Sequence, residues 1–260
     1  MNYFIAIPSY KRAKILNEKT LKLLNDLGIS KDRVNVFVVE EELETYTSNL
    51  DANLYNQIVV GVKGLVPQRE FAEQFYPAGT KLIFLDDDLE RLDLSLTTYT
   101  CADEFFCDAF AECEKQGAFI WGIHPCEYKF FRNSNKVITS NLKYIVGCFY
   151  GIINRPADPE LRLVITPQFN GDKEDVERSI LYFLKDGKTI RFNRVACITK
   201  YYGEDGGGLG KIEDRYENSK NASYLIAEKH SNNATIRVRE KGKKKGMFEL
   251  RLKNGKKVKK

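Results

Sequence analysis

Short apolar runs alternate with helix-period segments through the first ninety residues, and this alternation restricts the fold more than any other feature of the chain. "NYFIAI", "VNVFVVE", "QIVVGV" and "KLIFL" read as buried strands. Between them, "AKILNEKTLKLLNDLG" places Leu16, Leu23, Leu24 and Leu27 on one helical face, with Gly28 able to stop the helix. "EELETYTSNL" reads as a short helix, and "PQREFAEQF" as another with Pro67 in its first turn, where proline is tolerated. Strand, helix, strand in repetition implies a Rossmann-like α/β domain, a mostly parallel sheet with helices on both faces. Ligands of such sheets collect beyond the carboxyl ends of the strands.

The rest of the chain continues the pattern less regularly. Thr100 and Asp103 make a capping-box pattern for the helix "CADEFFCDAFAECEKQ", closed by Gly117. "AFIWGI" and "KYIVGCFYGIIN" are strands, and "DKEDVERSILYFLKDG" is a helix with Val176, Ile180, Phe183 and Leu184 inward. "KTIRFNRVACIT" reads as one strand, and "GEDGGGLG" as a linker or a closing loop. A polar helix around "YENSKNASYLIAEKH" is followed by the hairpin "ATIRVRE"/"MFELRLK". The expected organisation is a catalytic domain over residues 1–210 and a C-terminal helix with a small basic β-hairpin over 211–260.

No run has the length of a membrane span, so no membrane is expected. Six cysteines without a C-x-x-C pair fit a reduced, cytoplasmic protein. The net charge of +5 is unevenly spread: the last twenty residues hold ten Lys or Arg and one Glu, leaving 31 basic and 35 acidic residues in the other 240. A basic end on an acidic body suits a polyanion, or is a solvated tail. Lys243, Lys244, Lys245, Arg251 and Lys253 are its candidate contacts.

Asp86-Asp87-Asp88 follows the most apolar strand. On extended backbone Asp86 and Asp88 face one way and Asp87 the other. Two hard oxygen ligands suit Mg²⁺ or Mn²⁺ with substrate phosphates; an acidic strand end capping a helix is the plainer reading. "AIPSYKR" offers amides and cations to an anionic ligand. "VVEEE" ends the second strand with acids that suit a ribose or a helix start. "GVKGLVPQRE" brings Lys63 and Arg69 within reach of a diphosphate, or gives Arg69 a scaffolding acid. "GDKEDVER" opens a helix with carboxylates, either helix-dipole partners or a general base. Of the two histidines, His230 is a candidate third metal ligand, although a lone histidine is more often structural.

In this order, "IPSYKR", "VVEEE", "GVKGLVPQREFAEQFYPAGTKLIFLDDDL" and "GDKEDVERSILYFLKDGKTIRF" resemble the nucleotide-sugar glycosyltransferases of the GT-A fold, family 2, over residues 3 to 200. Glu70 stands where the family's segment has Asn after the arginine. Within that fold the segments are most similar to the TET/JBP-associated glycosyltransferases, largely phage-encoded, which add sugars to hydroxymethylated pyrimidines of DNA. The resemblance implies a UDP-sugar donor, a double-stranded DNA acceptor carrying 5-hydroxymethylcytosine or 5-hydroxymethyluracil, and a Mn or Mg ion. It assigns Pro8, Ser9, Tyr10, Arg12 and Glu40 to the nucleoside, Lys63 and Arg69 to the diphosphate, and Asp86 with Asp87 to the donor. Asp88 and Asp86 would hold the metal, and Asp175 would be the base of an inverting transfer, with Asp172 and Glu174 in reserve. Two other readings stay open: a GT-A enzyme with a carbohydrate, lipid or protein acceptor, and a catalytically silent nucleic-acid-binding module.

Overall fold

The computed structural model describes residues 2–199, 212–240 and 248–253. Its strands are β1 (Phe4–Pro8), β2 (Val34–Val38), β3 (Gln57–Val60), β4 (Lys81–Leu85), β5 (Leu89–Asp93), β6 (Ile120–Ile123), β7 (Ile138–Thr139), β8 (Phe149–Ile153), β9 (Ile190–Phe192), β10 (Ala196–Thr199), β11 (Ala234–Val238) and β12 (Phe248–Leu252). Eight form one sheet in the order β3-β2-β1-β4-β8-β6-β9-β7. The pairs β1–β2, β1–β4, β2–β3 and β6–β9 are parallel, and β8 runs antiparallel between β4 and β6. The expected mixed α/β architecture, with a mostly parallel sheet flanked by helices, is what the chain adopts.

The strands carry few polar residues because both faces of the sheet are covered. Alternate residues face opposite layers. Ile5, Ile7, Ile83 and Leu85 pack with Leu16, Leu21, Leu24 and the Phe105–Phe106–Phe110 face of helix Ala102–Gln116. Ala6, Leu82 and Phe84 pack with Ala72 and Tyr76, on and just beyond helix Leu65–Phe75, and with Tyr150. Trp121 is fully buried, with Phe105 and Phe110 edge-on at 5.5 Å between ring centroids. Gly151 makes this possible, since a Cβ there would lie 2.3 Å from the indole.

The chain departs from its sequence reading at several places. "KTIRFNRVACIT" is two strands: it turns at Asn193–Arg194, and β10 leaves the large sheet to pair antiparallel with β5. Asn193 fixes the break by donating to Lys136 O at 2.8 Å and accepting from Arg191 Nε at 2.8 Å. The cap of helix Ala102–Gln116 is Cys101, whose sulfur accepts from Glu104 N, while Asp103 turns away to accept from the Tyr3 hydroxyl at 2.7 Å. Leu184 is 41% exposed, although Val176, Ile180 and Phe183 point inward as expected.

The C-terminal helix Ile212–Lys229 and the β11–β12 hairpin are in place, with Ala234 paired to Leu252 and Val238 to Phe248. Ile226, Ala234, Leu250 and Leu252 share a small core with Val176, Ile180 and Phe183 of helix Glu174–Asp186. The hairpin is thereby fixed beside the segment that opens that helix. All six cysteines are free thiols. Among the described residues, no helix is long and apolar enough to cross a membrane.

Candidate active site

The carboxyl ends of β1 and β4, the start of helix Leu65–Phe75, the segment before β8, the start of helix Glu174–Asp186 and the β12 strand enclose a cleft of about 780 Å³. Its volume lies within the range of ligand pockets. The three aspartates form its floor. Asp86 extends the β4–β8 ladder by donating its N–H to Cys148 O at 3.0 Å, and the chain then turns at Asp87–Asp88. Thr20, buried on the first helix, stitches the turn: its hydroxyl donates to Asp86 O at 2.8 Å and accepts from Leu89 N at 2.9 Å.

The turn overrides the alternation expected of extended chain. Asp87 and Asp88 share one guanidinium, Arg12 Nη1, at 2.8 and 3.2 Å. Asp87 also accepts from Ser9 Oγ at 2.6 Å, and Asp88 from Thr199 Oγ1 at 2.6 Å. Asp86 faces Arg69 Nη2 at 2.8 Å, with its side chain 39% exposed to the cleft. Loss of water on the cleft floor pushes the Asp86 carboxyl up to about 7, against the pull of Arg69 and with Asp88 and Asp87 adding to it. Burial likewise pushes Asp87 up to about 6, with Arg12 and Ser9 opposing.

Ser9 is held between Asp87 and the Tyr46 hydroxyl, 2.7 Å away. Lys11 takes a left-handed conformation, φ 58°, with its amide donating to Glu42 Oε2 at 3.1 Å. The Tyr10 ring has two ammonium groups near it, Lys11 at 5.3 Å and Lys63 at 5.5 Å from its centroid. Pro8, Tyr10 and Lys63 thus make one wall of the cleft. Glu40 is exposed and lies outside the lining, where Val39 takes the place beside β2.

The opposite wall is built on a buried ion network. Arg69 and Arg178 both pair with Glu174, and Arg69 Nη2 also donates to Gly147 O at 2.8 Å. The side chains of all three ions are at most 6% exposed, and both guanidiniums lie against the Tyr150 ring, at 5.6 and 4.6 Å. Gly147 is required here, because a Cβ would lie 2.5 Å from Glu174 Oε1 and 3.2 Å from Asp175 Cβ.

The three acids of "GDKED" are separated by their partners. Asp172 accepts from the Arg215 guanidinium of the C-terminal helix, and Glu174 is committed to its two arginines. Asp175 instead accepts from neutral donors: the Tyr144 hydroxyl, Gly147 N at 3.3 Å and Val176 N at 2.9 Å. Burial, joined by the charge of Glu174, holds its carboxyl above the ordinary range.

Pro8, Ser9, Tyr10, Arg12, Lys63, Arg69, Asp86, Asp87, Asp88, Asp172, Glu174, Asp175 and Arg251 therefore meet in one cleft. His230 does not join them. It ends the C-terminal helix outside the cleft, half-buried, with burial holding its imidazole below the ordinary value despite Glu177 nearby. Among the described residues, no group of three or more His, Cys, Asp or Glu is placed to hold a metal by itself. Lys253 is exposed away from the lining and donates to Ser231 O. Lys243, Lys244, Lys245 and "GEDGGGLG" lie outside the described residues. Sequence reasoning missed Thr20, Thr199, Tyr144, Gly147, Arg178 and Arg215. The strand at "KYIVGCFYGIIN" begins only at Phe149, which frees Tyr144, Val146, Gly147 and Cys148 to line the cleft.

No family model and no curated protein matches the chain. Among solved structures it is similar to Staphylococcus aureus TarS 1–349 (17% identity, 87% of this chain and 66% of that one, TM-score 0.47). It is similar also to GalNAc-T7 with UDP, GalNAc and Mn²⁺ (13%, 88% and 50%, TM-score 0.48). A third is the Pyrobaculum calidifontis mannosyltransferase PcManGT in complex with GDP-Man and Mn²⁺ (12%, 58% and 44%, TM-score 0.40). The chain spans about two thirds or less of each. Likeness at this level carries no conclusion about chemistry, which rests on the cleft.

Proposed function

We propose that the chain is a GT-A-type glycosyltransferase that moves a sugar from a UDP-sugar to the hydroxymethyl group of a modified pyrimidine in DNA. The observation that carries this reading is the convergence in one cleft of the Asp86–Asp88 floor, the Pro8–Lys63 wall and an Asp175 that, among the described residues, is hydrogen-bonded by neutral donors.

The donor set suits a divalent metal. Among the described residues, seven carboxylates and six cations line the cleft, a formal charge of −1 before a diphosphate enters. Added anionic charge then calls for a cation, and Asp88 and Asp86 supply the hard oxygens Mn²⁺ or Mg²⁺ prefers, with phosphates and water completing the shell. When bound, that ion supplies neutralisation of the departing diphosphate. Arg12 and the Thr199 hydroxyl hold Asp88, and Arg12 keeps Asp87 in place through a second contact.

Tyr10 offers a ring face and Lys63 a cation on the nucleotide wall. Asp175 is the base: it takes the hydroxymethyl proton, the oxygen forms a bond to the anomeric carbon, and the carbon–phosphate oxygen bond breaks with its electron pair leaving on UDP. Burial raises its pKa, which makes it a stronger base than an ordinary carboxylate. Asp172 and Glu174 are positioning residues, since each is already neutralised by guanidinium. One base acting opposite the leaving group gives inversion.

Nucleoside mass spectrometry tests this. DNA with 5-hydroxymethylcytosine, 5-hydroxymethyluracil or neither is incubated with UDP-sugars and Mn²⁺, beside Asp88→Ala and Asp175→Asn. A sugar-sized mass gain on one modified base, lost in both variants, is expected. UDP-sugar hydrolysis without any gain on DNA would remove the DNA acceptor, and no reaction of either kind would remove the enzyme.

A further inference from the structure

We infer that Tyr216, Tyr224 and Phe248 form a stacking platform at the cleft mouth that receives the acceptor base unpaired from its strand. This rests on the DNA-acceptor reading above and adds how the base is presented. The helix Ile212–Lys229 buries Ala222, Ser223 and Ile226 completely, whereas Tyr216 and Tyr224 stand 44% and 47% exposed. Neither tyrosine contributes to the small core beneath that helix. Both gather on Phe248, with ring centroids 5.8 and 6.3 Å from it, and Phe248 itself lines the cleft beside Leu250 and Arg251. Tyr216 directly follows Arg215, which holds Asp172 at the start of the segment containing Asp175. The aromatic group is thus joined through one side chain to the segment that carries the proposed base.

Charge selects the occupant. Arg239 and Arg251, 45% and 48% exposed, lie on the same hairpin as Phe248, and both pair with Glu249. The last twenty residues carry ten Lys or Arg against that one Glu. Aromatic rings interleaved with basic residues suit a single-stranded nucleic acid, its bases stacking and its phosphates meeting cations. A paired base shows only its edges in the grooves. Its face reaches a ring only after it leaves the stack, at the cost of unstacking and unpairing. A hydroxymethyl group delivered into a cleft, instead of lying in a major groove, needs that same displacement.

Two measurements on the full-length protein test the platform. The first needs no catalysis: an unmodified single-stranded oligothymidylate with one 2-aminopurine is titrated against wild type, Tyr216→Ser/Tyr224→Ser and Tyr216→Phe/Tyr224→Phe. We expect quenching with wild type and the Phe variant, and affinity roughly five-fold or more weaker in the Ser variant, in line with the loss of base stacking. Unchanged thermal unfolding checks that the Ser variant is folded. Equal binding and quenching by all three proteins would overturn the proposal. The second compares transfer to a hydroxymethylated base opposite its partner and opposite an abasic site. Faster transfer to the unpaired base is expected, and equal rates would overturn the unpaired presentation. If no DNA accepts sugar at all, the acceptor assignment falls while the titration still decides the platform.

Discussion

Replacing Glu174 by Gln tests whether the buried ion network, rather than packing alone, holds the cleft wall. Glu174 sits between Arg69 and Arg178, and their side chains are 6%, 2% and 6% exposed. An amide presents an oxygen to one guanidinium and an N–H₂ to the other, so a donor faces a donor. Arg69 keeps Asp86 and Gly147 O, whereas Arg178 keeps the Tyr150 ring at 4.6 Å and the more distant charge of Glu73. Removing one partner from such a buried network costs about 3–5 kcal/mol. With an unfolding entropy of about 2.1 cal/mol/K per residue, a chain of this length loses about 5–9 °C in Tm. The Glu174 carboxyl is held below its ordinary range by Arg178 and Arg69, against burial. A lowered folded value stabilises above the unfolded pKa and is lost as pH falls through the folded one. The gap between wild type and variant should therefore be full at pH 7.5 and close on acidification below about 4. Differential scanning calorimetry across that range measures it. A variant within about 2 °C of wild type at pH 7.5 would refute the reasoning.

Asp86→Asn should abolish transfer yet raise Tm at pH 8, with the gain shrinking as pH falls from about 7 and closing at about pH 4, the unfolded value. A carboxyl pushed up to about 7 contributes stability below its unfolded value that is lost as pH rises through about 7. A lower Tm than wild type at pH 8 contradicts this. Tyr144→Phe removes the hydroxyl bond that opposes the rise of the Asp175 pKa, so the acid limb of the transfer pH–rate profile should move to higher pH. An unmoved limb would take Asp175 out of the rate profile. Gly147→Ala drives a Cβ against a carboxylate that two guanidiniums hold in place. Overpacking of this kind costs about 1–3 kcal/mol, readable by denaturant titration, and transfer should fall with the displacement of Asp175. Full activity with unchanged stability would show that the wall yields.

The parallel half of the sheet was legible because a strand covered on both faces is apolar along its whole length, as "LIFL" is. The cleft floor was legible for a related reason: three acids have few places to go at the end of such a strand. Roles within acidic clusters were not. Asp172, Glu174 and Asp175 look alike in sequence, and only Arg215, Arg69, Arg178 and Tyr144, from other segments, set them apart. The orientation of Asp87 depended on a turn tied by Thr20, 66 residues upstream of Asp86. "KTIRFNRVACIT" looked continuous because a side chain, Asn193, breaks the strand by bonding to distant backbone at Lys136.

Trp121 is the single tryptophan among 16 phenylalanines and 14 tyrosines. Its indole is sealed in the core, and its Nε1 has no hydrogen-bond partner among the described residues. An indole in so dry a setting emits at short wavelength and shifts to the red only when water reaches it. Because Trp121 lines no part of the cleft, its emission colour is a built-in meter of intactness that ligand contact leaves alone. The same sample can then report binding through an added fluorophore and folding through its own light, in separate channels.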